Sequence, residues 1–171
     1  TDKKHSHMNL IHSRGKKVVA EATINKDVLK DLMRADPERM VRLRQRTLLG
    51  AILAGSAYNG PHSANGIASM FIATGQDEAN VVESHTGIAF MDLTPAGDLY
   101  YSVTLPSIIC ASYGGGTGLP TQRECLEMMD KARKLAEIIG ATVLAGDLSL
   151  AAAIVSDEWV SSHDQLGRNR P

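Results

Sequence analysis

Apolar positions along the chain follow two periods, and the change from one to the other marks out the elements. Residues 15–24 alternate and are rich in valine, which predicts a strand. Asn25 is placed to cap a helix over 26–34. Asp36 and Pro37 repeat that start signal as cap and first-turn proline. The helix they open is basic at first, with Arg39, Arg42, Arg44 and Arg46, and turns small and apolar over 48–57. Asn59-Gly60-Pro61 then breaks the chain. A further helix is expected from about His62 to Thr74, with Gly75 as the left-handed residue that ends it.

The two-residue period returns at 87–93 and 99–105, joined across Pro95-Ala96-Gly97-Asp98, which is a hairpin signal. Residues 107–113 are candidates to extend the sheet. After Pro120, Thr121-Gln122-Arg123-Glu124 has the form of a capping box. Residues 131–155 form a long helical stretch of small residues, expected to break near Gly140 or Gly146. The end of the chain, 161–171, is polar and expected to be mobile. These elements predict an α/β (α+β) class, with helices packed on a largely antiparallel sheet.

Composition narrows the picture without deciding function. At 171 residues the chain can bury a core of its own, and 43% apolar with 22% charged residues places it with globular proteins. A net charge of −1 gives no bulk attraction to nucleic acid, so no nucleic-acid partner is expected. Two cysteines, Cys110 and Cys125, are too few for a disulfide framework; a reducing, cytoplasmic setting is expected, with both as small buried hydrophobes. No apolar run is expected to span a bilayer, and no signal peptide is visible. The chain opens on Thr1 inside a recognisable motif, so a fragment of a longer polypeptide is expected.

The most informative stretch is Phe71-Ile72-Ala73-Thr74-Gly75-Gln76-Asp77. An acid just past a helix C-terminus faces the negative end of the helix dipole. That placement points to a cation nearby or a proton held on purpose; on local pattern alone, Asp77 reads as an exposed loop residue. The wider run FIATGQDEANVVES, residues 71–84, resembles the segment of 3-hydroxy-3-methylglutaryl-CoA reductases that carries their catalytic aspartate. Three further blocks are similar to the same family in the same order. They are Thr1-Asp2-Lys3-Lys4, Ser102-Val103-Thr104-Leu105-Pro106 leading to Gly114-Gly115-Gly116-Thr117, and Ser162-His163.

The resemblance implies a division of labour. Lys3 would stabilise the oxygen that becomes negative as hydride adds to the thioester carbonyl, with Asp77 beside it. His163 would protonate the departing CoA sulfur from a C-terminal flap. Asp2, Lys4, Arg46, His62 and Asn65 would contact substrate. Arg46 stands where many relatives have lysine; arginine can also hold a carboxylate, though not in the same way. His62 reads equally as a capping or packing residue. Gly114, Gly115 and Gly116 would line the nicotinamide side of the site; neither a P-loop nor a Rossmann fingerprint is present. Arg168 would approach the cofactor, with Arg170 as a competitor. Leu148, Leu150 and Ile154 would cover the substrate. His5-Ser6-His7 does not read as a metal site, and no metal is expected.

The implied organisation is a loop at 1–14, part of a large catalytic domain at 15–160, and a mobile flap at 161–171. The implied cofactor is NADPH or NADH, the partners 3-hydroxy-3-methylglutaryl-CoA or CoA and a second copy of the chain in a dimer-based homo-oligomer. The family's catalytic glutamate and most of its dinucleotide contacts have no match here, so the missing N-terminal part of the same enzyme is a further expected partner, and the 171 residues alone are expected to be inactive. Two rival readings are a non-redox protein that binds or hydrolyses acyl-CoA and a structural oligomerisation module.

Overall fold

The computed structural model describes residues 6–58, 60–129 and 134–167. Its centre is a three-stranded antiparallel sheet of β1 (Lys16–Ile24), β2 (Ile88–Leu93) and β3 (Leu99–Ile108), in the order β1-β3-β2. β3 is the middle strand because its inward positions are apolar throughout. Leu99, Tyr101, Val103 and Leu105 are all fully buried on one face. Val18 of β1 with Ala89 and Met91 of β2 complete that face. Pro106 has no N–H to give, and the β1–β3 register shifts at that point, between the pairs Lys16–Ile108 and Val18–Leu105. The opposite face is open, with Val19, Ile88 and Phe90 each about half exposed.

The helices form in order as α1 (Met8–Ile11), α2 (Lys26–Met33), α3 (Pro37–Leu53), α4 (Ser63–Thr74), α5 (Val81–Ser84), α6 (Pro120–Met128), α7 (Leu135–Val155) and α8 (Glu158–Leu166). The start signals at α2 and α3 work as expected. Asn25 Oδ1 accepts from the backbone N–H of Asp27 at 2.9 Å, and Asp36 Oδ1 from that of Arg39 at 2.8 Å. The capping box does not form. α6 starts at Pro120 itself, one residue before Thr121, so Thr121 is already helical and makes no cap bond.

α7 corrects two further expectations. It is one unbroken helix of 21 residues, long and apolar enough by length and composition to cross a membrane. Here it is the core helix, packed across β1 and β3 with Ile139, Val143, Ala151 and Ala152 buried. Its glycines are sites of close approach. A Cβ on Gly140 would meet Val18 Cγ1 at 2.6 Å, and one on Gly146 would run into the ring of His62. Without side chains at these positions, the Val18 side chain and the His62 ring come up against the α7 backbone, and burial holds the helix through its glycines.

α4 runs antiparallel to α7. His62 lies on Gly146, and Gly66, one turn later, faces Val143, one turn earlier. Ile67 and Phe71 of α4 are fully buried in the same core. The segment Glu158–Leu166 is helical, and Glu158 of α8 pairs with Arg34, the residue that ends α2.

Candidate active site

The chain turns sharply at Gly75, which has φ +68° and ends α4 as expected. A Cβ there would fall inside 3.0 Å of the carbonyl of Gly116, so two glycine backbones touch. That contact seats the turn bearing Asp77 directly on the loop Gly114-Gly115-Gly116-Thr117. Gln76 fastens the far side, donating through Nε2 to the Ala111 carbonyl at 2.9 Å and accepting from the Ala111 N–H at 2.8 Å. The sequence blocks around 71–77 and 114–117 therefore meet in space.

Asp77 itself is exposed, and its local role differs from the expectation. It caps a short 3₁₀ turn, Glu78–Asn80, with Oδ1 accepting from the Ala79 N–H at 3.0 Å. The left-handed Gly75 has already redirected the chain, so the carboxylate stands at the positive start of the next turn rather than at the negative end of α4. The start of that turn is a favourable place for the charge. Glu78 is pushed above the usual carboxylate range, first by burial and then by the neighbouring Asp77 charge.

The segment after Asp77 also anchors the start of the described chain. Glu83 is buried and accepts from Arg14 through Nη2 at 3.1 Å and Nε at 3.2 Å, and from Asn9 Nδ2 at 3.2 Å. Ser107 Oγ donates to the Asn9 carbonyl at 2.8 Å. Residues 6–14 are thereby tied to α5 and β3. Asp2, Lys3 and Lys4, which precede them, and Arg168 lie outside the described residues.

Gly114 and Gly115 have φ +91° and +55° and begin a 3₁₀ turn, Gly115–Gly118. A Cβ on Gly114 or Gly118 would meet nothing within 4 Å, so these backbones face open space. A cavity of about 530 Å³ lies there, lined by the loop with Tyr113, Arg123 and Leu126. Tyr113 is 93% exposed, an apolar ring standing free beside backbone a ligand can approach closely.

The remaining candidates lie at the other end of the α4–α7 pair. His62 immediately precedes α4 and makes no side-chain cap bond, so of its two non-binding roles the packing one holds. Asn65 follows on an exposed position. Arg46 is exposed on α3, whereas its neighbour Arg44 is 7% exposed and turned inward. Arg44 donates through Nε to the Ala89 carbonyl at 2.8 Å and through Nη1 to Thr47 Oγ1 at 3.1 Å. Beside it lies a cavity of about 320 Å³ walled by Thr47, Tyr58, Pro61, Met91, Tyr101 and Ile154, among others.

His163, on α8, is half-buried under Trp159, with ring centroids 4.5 Å apart. Its Nδ1 lies 2.7 Å from the Trp159 carbonyl, which can only accept, so Nδ1 carries a proton and Nε2 is the edge left for proton exchange. α8 follows the C-terminal end of α7, and Asp77 follows the C-terminal end of α4. Because the two helices are antiparallel, the helix ends from which Asp77 and α8 continue lie on the order of 20–30 Å apart within one chain, by helix rise.

Sequence reasoning missed the buried polar cluster that holds the His62 end. Asp147, in the middle of α7, is fully buried. It accepts from the hydroxyl of Tyr58, from that of Tyr101 at 2.8 Å, and from the His62 backbone N–H at 2.7 Å. Gly60 passes directly over it, with no room for a Cβ. Burial pushes the Asp147 carboxyl above its ordinary value, while its three hydrogen bonds pull it back. Burial and the Asp147 charge drive both tyrosine hydroxyls far up, so both remain donors. Arg44 is lowered by burial, an effect opposed by Tyr101, Tyr58 and Asp147. One signal was available: Asp147 and Glu137 are the only charges in the apolar run 135–155.

The family model described as Hydroxymethylglutaryl-coenzyme A reductase matches residues 1–168. The chain is 41% identical to the 3-hydroxy-3-methylglutaryl-coenzyme A reductase of Pyrococcus abyssi, over 98% of this chain and 44% of that protein. It is 45% identical to the protein of that name in Aeropyrum pernix, over 98% of this chain and 42% of that protein. For the Drosophila melanogaster protein of that name the identity is 40%, over 98% and 20%. The chain thus spans less than half the length of each of these relatives. With a match that runs nearly end to end, the chain belongs to the hydroxymethylglutaryl-coenzyme A reductase family.

Proposed function

We propose that this chain supplies the Asp77 and His163 ends of a reductase site that converts 3-hydroxy-3-methylglutaryl-CoA to mevalonate and CoA. The observation that carries the reading is the backbone contact between Gly75 and Gly116, which holds the Asp77 turn against an open glycine loop. A carboxylate there can manage protons at an oxygen that becomes negative. The open backbone of Gly114 and Gly118, where a Cβ would meet nothing, fits the close approach of a flat ring. A nicotinamide dinucleotide bound there would supply hydride. Lys3 and Lys4 would provide the cation for the developing alkoxide and the substrate carboxylate, with Asp2 as a substrate contact and Arg168 near the cofactor. His163, with a proton fixed on Nδ1, can deliver a second proton from Nε2 to a departing thiolate.

The separation between the helix ends that lead to Asp77 and to α8 favours a site built from two copies. One chain would give the Asp77 turn and glycine loop; its neighbour would give His62, Asn65, Arg46 and α8. The activity would belong to a polypeptide that also carries the family's catalytic glutamate and the rest of its dinucleotide contacts. Full-length enzyme should therefore oxidise reduced nicotinamide when given 3-hydroxy-3-methylglutaryl-CoA, and the 171 residues alone should not. A measurable rate from the 171 residues alone would overturn this division, and a full-length enzyme that binds the CoA ester without oxidising either dinucleotide would overturn the reductase reading.

A further inference from the structure

His62 sits in an unusual seat. A Cβ on Gly66 would lie 3.0 Å from both Nδ1 and Cε1 of its ring, and a Cβ on Gly146 would lie well inside 3.0 Å of Nδ1, Cε1 and Cγ. The imidazole therefore occupies the space that side chains would take on two facing helices, with its Nδ1 edge against the α7 backbone. Nδ1 is buried and has no hydrogen-bond partner among the described residues. The opposite edge of the ring, Cδ2–Nε2, faces away from both glycines, and the residue as a whole is half-exposed. Its backbone is fixed as well, since the His62 N–H donates to Asp147 Oδ1, itself held by Tyr58 and Tyr101.

These constraints select a tautomer. A hydrogen on Nδ1 would project about 1 Å further into a surface already too close for a methyl group. It would also be an orphaned buried donor, which folded proteins avoid more strictly than an under-used acceptor. A bare Nδ1 lone pair meets neither objection. We infer that His62 is a preset hydrogen-bond donor, its single proton confined to Nε2 and presented outward to an acceptor oxygen of the bound acyl group. This rests on the reading of His62 as a substrate contact, but the seat and the tautomer stand on geometry alone. Gly66, Gly146 and Asp147 are then positioning residues, acting through His62.

Selective 15N-histidine labelling of the full chain, with His62→Gln to assign the signal, reads the tautomer above the pH where imidazole ordinarily titrates. The proton is expected on Nε2; a proton on Nδ1 overturns the inference. A thermal cycle tests the seat. Gly146→Ala should lower Tm when His62 is present and raise it in a His62→Ala background, where alanine's better helix propensity is no longer opposed by the ring. Where Gly146→Ala alone fails to fold, a folded Gly146→Ala/His62→Ala double variant supports the seat and an unfolded one refutes it. The same sign of change in both backgrounds also refutes it. Turnover separates the two levels: a Nε2–H tautomer together with unchanged KM and kcat in His62→Ala refutes the substrate contact, whereas a Nδ1–H tautomer refutes the preset donor whatever the kinetics.

Discussion

Replacing Asp147 with alanine should destabilise the fold by about 3 kcal/mol, and the structure shows where that comes from. The carboxylate is fully buried and accepts from two buried tyrosine hydroxyls and the His62 N–H. Without it both hydroxyls lose their acceptor, at about 1–3 kcal/mol each. The His62 N–H is half-buried and can turn to water, so it adds little. Two terms offset the loss: the carboxylate's own desolvation is relieved, and alanine returns about 0.5 kcal/mol of helix propensity. Arg44 simultaneously loses one of the charges that compensate its burial. With an m value of about 2 kcal/mol/M in urea, the unfolding midpoint should fall by about 1.5 M. Asp147→Asn keeps one acceptor for His62 and a polar partner for the tyrosines, so its midpoint should lie between the two. An alanine variant within about 0.3 M of wild type would mean that the cluster does not anchor the His62 loop.

The other expectations concern the two ends of the molecule. Asp77→Asn in the full-length enzyme should nearly abolish turnover with a modest change in KM; a near-normal kcat would remove Asp77 from the proton chemistry. Gly75→Ala should cost at least about 2 kcal/mol, because an L residue is strained at φ +68° and its Cβ would strike Gly116; a Tm unchanged from wild type would refute the contact. The Asp147 carboxyl is raised in the folded state, chiefly by burial, so the fold holds its proton more tightly than the unfolded chain does. Its contribution to stability should therefore fall as pH rises through the ordinary value of 3.8 and level off above the folded value. Asp147→Asn should remove that part of the pH slope, and an unchanged slope in urea titrations across acid pH would contradict the assignment.

Elements whose signals are local were legible in the sequence. The caps Asn25 and Asp36, the left-handed Gly75 and the hairpin around Gly97 all do what short-range sterics and hydrogen bonding require of them. The failures are tertiary. Gly140 and Gly146 look like breaks along one helix, but they are close contacts with β1 and His62 that only the packed fold reveals. Asp77 reads along the chain as the residue after α4, whereas the turn at Gly75 makes it the cap of the next helical turn. Arg44 and Arg46 look alike in a basic stretch, and only the facing of α3 against β2 turns one inward to Ala89. The candidate site was readable as an ordered set of blocks. That two of them touch through Gly75 and Gly116, and that His163 lies at the far end, follows from the antiparallel course of α4 and α7.

The most direct test of a site shared between two chains is complementation. Asp77→Asn and His163→Ala should each inactivate full-length enzyme alone. In a two-fold dimer that combines Asp77 of one subunit with His163 of the other, a mixed dimer of the two variants holds one site with both changes and one with neither. Co-expression at equal levels, with random pairing, should therefore restore roughly a quarter of wild-type reductase activity. No recovery from mixed dimers isolated by differential tagging would show that Asp77 and His163 do not act together across the interface.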